Sequence, residues 1–122
     1  MFRTTVASAD GSYSMPVTLG DTTGLVVSIE PIDLDTWPGD DPMVTVDPAN
    51  PNALLLSWMG GACEDETVVG FWPVDDRYGM YVAPRGGPAI FGGCPAIGLL
   101  RAVRITLSAP VAPELISFSS AA

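Results

Sequence analysis

An all-β fold of two antiparallel sheets packed face to face is what this sequence predicts, on three observations. Glycine and proline, 13 and 12 of the 122 residues, are scattered along the whole length. A helix needs about ten or more residues free of such breaks, so only strands and turns fit between them. Several stretches alternate apolar and polar residues with the period of a strand that has one buried face. Hydrophobic residues make up 48% of the chain, enough apolar area to offset the ordering entropy that leaves polar chains unfolded.

The elements follow in chain order. Met1–Ser14, polar and small, reads as a flexible or edge segment ahead of a single domain over residues 15–122. "TGLVVSIEPID" sets Leu25, Val27 and Ile29 on one side against Val26, Ser28 and Glu30. Asp33–Asn52, rich in Pro and Asp, reads as a long loop with one short strand at Met43–Val46; Pro48 and Pro51 exclude continuous pairing before Ala53. "ALLLSWM" (Ala53–Met59) is apolar on both faces, the mark of a central strand covered on both sides. "ETVVGFWPVDDRYGMYVAP" divides into two strands about a tight Asp75–Asp76 turn.

Pro84–Gly98 holds five glycines and three prolines and reads as an irregular loop. "LLRAVRITLS" alternates again, with Leu99, Arg101, Val103, Ile105 and Leu107 on one side against Leu100, Ala102, Arg104 and Thr106. An Arg on that core-facing side needs an acidic partner, for which Asp65 and Glu64 are suited, or a route to solvent. "PVAPELISFSS" supplies a turn and a last short strand. The sum is about seven or eight strands in an immunoglobulin-like or related sandwich, with an open barrel as the alternative.

Two cysteines, Cys63 and Cys94, lie 31 positions apart, and histidine is absent. Zinc sites need three or four ligands with a close pair among them, and a redox couple needs C-x-x-C at a helix start. Neither pattern occurs. Each cysteine follows a pair of glycines beside a predicted strand end, which lets the backbones approach as a disulfide requires. Such a staple contributes about 3–4 kcal/mol on the chain-entropy model. Disulfides persist in oxidising compartments. The expectation is therefore an exported, extracytoplasmic protein whose leader has been removed, since Met1–Ser14 lacks the apolar core of a signal peptide.

Fourteen acidic residues face five basic ones, all Arg, for a net charge of −9. That charge repels phosphate backbones and anionic lipid, so nucleic acid is not an expected partner. No apolar run reaches the length of a membrane span, and insertion is not expected either.

Three segments resemble a pattern found in small exported or lipid-anchored bacterial proteins of unknown function. They are "DTTGLVVSIEP" (Asp21–Pro31), "PNALLLSWMGGACEDET" (Pro51–Thr67) and "GGCPAIGLLRAVRITLSAPV" (Gly92–Val111). The shared features are D-x-T-G-L-V, W-x-G-G-x-C, and C-P-x-I-G-x-x-R before a strand ending in P-V. The likeness covers about half the chain, and implies a disulfide, an extracytoplasmic location and a β fold, but no activity.

The absence of His removes hydrolase triads and most acid–base sites, and no phosphate-binding or nucleophile motif occurs, so an enzyme is not expected. A non-catalytic module binding a protein or carbohydrate ligand is the leading expectation. Its candidate contacts are Trp37 and Phe91, apolar rings in predicted loops. A calcium-binding domain is the alternative, with Asp33, Asp35, Asp40, Asp41 and Asp47 as oxygen donors, although their spacing departs from the EF-hand. A protease inhibitor presenting Arg85 from a tethered loop is a third reading, weakened by the Gly-Gly that follows it.

Overall fold

The computed structural model of the protein describes residues 2–7, 14–32, 43–61, 65–85 and 98–120. Among the described residues nine strands form two sheets: β1 (Phe2–Ala7), β2 (Ser14–Asp21), β3 (Val26–Pro31), β4 (Met43–Asp47), β5 (Asn50–Gly61), β6 (Glu66–Val74), β7 (Arg77–Arg85), β8 (Gly98–Leu107) and β9 (Ile116–Ser120). The first sheet has the order β1-β2-β6-β7-β9 and the second β3-β8-β5-β4.

The inner faces share one core. Val17 and Leu19 of β2, Val69 and Phe71 of β6 and Met80 of β7 meet Leu54, Leu56 and Trp58 of β5 and Val103 and Ile105 of β8. Alternation explains the selection, since each of these positions is two residues from the next on its strand. Ala53–Trp58 is buried without interruption, as expected for a central strand covered on both faces.

The pairing is not wholly antiparallel, which corrects the sequence-based expectation. β2 runs parallel to β6, and β7 parallel to β9. The cause is the path of the chain. After β7 it crosses to the other sheet as β8 and returns as β9 in its earlier direction; an excursion through β3, β4 and β5 separates β2 from β6 in the same way. A 3₁₀ turn at Pro113–Leu115, closed by a Leu115 N–H donated to the Ala112 carbonyl at 3.0 Å, feeds β9 into place. The β1 edge strand adds Val6 to the core.

A second correction concerns β3. Its register against β8 shifts between Val26 and Ser28, so Val26 and Ile29 both face inward and Val27 is 58% exposed. The extra residue of a β-bulge breaks the period of two, and with it the grouping of Val27 with Ile29. In the β4–β5 hairpin Asp47 pairs with Asn50 around Pro48–Ala49. Pro51 falls where the register slips, and regular pairing with β8 starts at Ala53.

Candidate functional site

The β6–β7 hairpin turns at Asp75–Asp76, with Asp75 at φ 55°. Two-residue hairpins need such positive φ values, which Asp tolerates better than most residues. The turn fixes every cross-strand pair behind it. Trp72 falls opposite Gly79, and Gly70 opposite Tyr81. Phe71 and Met80, between them, point into the core, so both large rings lie on the outer face of the sheet.

Each ring lies over the glycine of the facing strand. A Cβ on Gly70 would overlap the Tyr81 ring, and one on Gly79 the Trp72 indole. Glycine is required here for close approach, and the rings shield strand backbone that glycine would otherwise expose. The two rings are tilted at 44° with centroids 5.7 Å apart, and both are half-buried. On the inner side the same hairpin stacks Phe71 on Tyr78 at 5.3 Å.

Because β2 is parallel to β6, Gly20 lies beside Gly70. The Tyr81 ring fills the space over Gly70, and the bare Gly20 next to it leaves a trough of about 350 Å³ beside the Trp72 and Tyr81 rings, with Asp21 and Thr22 at its end. A second depression, about 460 Å³, is lined by Arg3, Thr18, Glu66 and Val68. Thr18 pairs with Val68 two positions before Gly20 pairs with Gly70, so the two depressions follow one another along the β2–β6 seam.

The end of the trough is held by the turn that carries the chain from β2 to the other sheet. Asp21 accepts the Thr23 N–H at 2.8 Å and the Thr23 hydroxyl through Oδ1, and the Val26 N–H at 3.1 Å through Oδ2. The Thr23 hydroxyl oxygen accepts the Leu25 N–H at 3.0 Å, and Gly24 takes φ 76°. Thr22 donates its N–H to the Phe71 carbonyl at 2.9 Å, docking the turn on β6. The D-x-T-G-L-V motif is therefore a self-bonded corner.

The other two motifs meet as well. β5 and β8 pair Trp58 with Arg101, Gly60 with Leu99, and Gly61 with Gly98. Trp58 and Arg101, each 1% exposed, face the same side, so the Trp of W-x-G-G-x-C is the cross-strand neighbour of the Arg in C-P-x-I-G-x-x-R.

Most sequence-predicted site residues, namely Cys63, Cys94, Trp37, Phe91, Asp33, Asp35, Asp40 and Asp41, lie outside the described residues. Asp47 is described and is 7% exposed. Its Oδ1 accepts the Ala49 N–H at 2.9 Å and its Oδ2 the Arg104 Nε–H at 2.7 Å. The bond from the Ala49 N–H, then the Arg104 guanidinium, hold its carboxyl below the usual carboxylate range against the opposing effect of burial. A cation next to Asp47 would sit against that guanidinium. Arg85 is the last residue of β7 rather than a loop residue, and its carbonyl accepts the Asp65 N–H at 2.9 Å.

Among the described residues no group of three or more His, Cys, Asp or Glu is placed to hold a metal, and no helix is long and apolar enough to cross a membrane. The pairing of Trp72 and Tyr81 with glycines was readable in principle. Both pairs are symmetric about Asp75–Asp76, so the turn alone predicts them; the gap at Gly20 needed the β2–β6 pairing. Comparison of the chain with known protein families, characterised proteins and solved structures found no match.

Proposed function

We propose that this protein is an exported, envelope-associated binding module without catalytic activity, an immunoglobulin-like or related sandwich that presents the outer face of its five-stranded sheet to a ligand. The observation that supports this reading is the Trp72–Tyr81 pair beside the Gly20–Gly70 gap. Two rigid, half-exposed rings next to a preformed trough give a ligand a large contact area at small ordering cost.

Export is supported by the register of β5 and β8. Gly61 and Gly98 are paired, Cys63 follows the first by two residues and Cys94 precedes the second by four. At about 3.5 Å per residue, such lengths can bring two sulfurs together, and a disulfide belongs in an oxidising compartment.

The test is co-sedimentation of the purified protein with the envelope fraction of the cells that make it. The protein is expected to sediment, and Trp72→Ala, checked for an intact fold by a cooperative thermal melt, to stay in solution. A wild-type protein that stays in the supernatant overturns the reading.

A further inference from the structure

We infer that the ligand of this face is an oligosaccharide of uncharged pyranose units lying along the β2–β6 seam, stacked on Trp72 and Tyr81; this rests on the binding-module reading above.

Charge makes the first argument. The chain carries −9 overall, yet between the Glu66–Arg85 pair at one end of the hairpin and the Val74–Arg77 pair at its turn, the outward positions Val68, Gly70, Trp72, Gly79, Tyr81 and Ala83 hold no charged side chain. This aromatic stretch thus matches an uncharged ligand, with Asp21 at one end of the seam and Arg3 and Glu66 around the other.

The second argument is the mixture of surfaces. A pyranose ring has apolar C–H faces and a hydroxylated edge. The aromatic faces serve the first, while hydroxyls flank the rings on both sides for the second. Thr18 and Thr22 stand on the β2 side, and exposed Ser117 and Ser119 on β9 pair with Gly79 and Tyr81. A lipid or an apolar protein surface calls for a broad apolar patch instead. Among the described residues the exposed large hydrophobics are Val27, on the other sheet, and Val74, beside the hairpin turn. An extended peptide would add to a sheet edge, where backbone groups are unpaired, whereas β2 and β6 are interior strands.

Length is the third argument. From Glu66 to Trp72 the outer face of β6 runs about 20 Å, which accommodates several sugar rings in a row. The second depression continues the first in line, with Glu66 at its far end and Arg3 beside Thr18, both able to bond hydroxyl groups.

The envelope fraction is treated in two ways before sedimentation: with periodate, which cleaves the vicinal diols of sugars, and with proteinase K. Binding is expected to be lost after periodate and kept after protease. Binding kept after periodate and lost after protease overturns the oligosaccharide inference and leaves the binding-module reading standing. No binding to untreated envelope overturns both. Trp72→Ala is expected to weaken binding about thirtyfold, the effect of removing a central aromatic anchor.

A second variant guards against misfolding. A Cβ on Gly20 meets nothing closer than the Val69 carbonyl oxygen at 3.9 Å, so Gly20→Leu is compatible with the backbone and fills the trough. It is expected to abolish binding with its melting temperature little changed. Undiminished binding by folded Gly20→Leu removes the seam as the site.

Discussion

Arg104 on β8 reaches across β5 to Asp47 at the end of β4, where its Nε donates to Oδ2 at 2.7 Å. Its Nη1 also meets Glu30 of β3 at 3.1 Å, so one guanidinium links the two edge strands of the four-stranded sheet through its outer face. The two contacts are unequal. Glu30 is half exposed, and such pairs contribute little. Asp47 is buried and also caps the hairpin turn through Ala49.

Asp47→Asn keeps an oxygen for the Ala49 N–H and loses the charge-assisted bond to Arg104. Urea denaturation at pH 7 is expected to show a loss of about 1–2 kcal/mol. The folded carboxyl ionises at lower pH than the unfolded one. Its stabilisation is thus full above the ordinary carboxylate pKa and disappears as the pH falls through the lowered folded value. Thermal melts from neutral to acid pH are expected to decline less steeply for Asp47→Asn than for the wild type. Parallel curves would show that the pair contributes nothing.

The bulge in β3 separates two neighbouring residues energetically. Val27, 58% exposed, is expected to accept Thr with a change of about 0.5 kcal/mol or less, whereas Ile29→Ala empties a core position and costs about 2–4 kcal/mol. Equal losses at both positions, measured by chemical denaturation, would mean that the strand alternates without a bulge.

Three glycines of the outer face differ in their tolerance of a side chain. Ala at Gly70 or Gly79 must displace the Tyr81 or Trp72 ring from its backbone bed, at a cost of about 1–3 kcal/mol. Gly20→Ala meets ordinary contacts and is expected to be neutral or slightly stabilising. Near-UV circular dichroism reports the ring displacement independently of stability.

For the proposed Cys63–Cys94 bond, alkylation of the unfolded, unreduced protein is expected to label neither sulfur. Reduction is expected to lower stability by about 3–4 kcal/mol. Two labelled thiols per chain would remove the support for export.

Much of the architecture is legible locally. Scattered Gly and Pro favour strands, which make up the described residues apart from turns and one 3₁₀ turn, the apolar run at Ala53–Met59 marks a central strand, and Asp75–Asp76 between two apolar stretches fixes a hairpin and every pair within it. Such features depend on residues near one another in the chain, where backbone sterics and the period of two act directly. What lay beyond local reading was pairing over long separations. The parallel contacts of β2 with β6 and β7 with β9, the extra residue at Val27, and the Arg104 link to Asp47 each come from a choice among partners that sheet packing makes. The candidate site divides the same way. The hairpin turn alone pairs Trp72 and Tyr81 with their glycines, but the open space beside them exists because a distant strand brings Gly20 alongside Gly70.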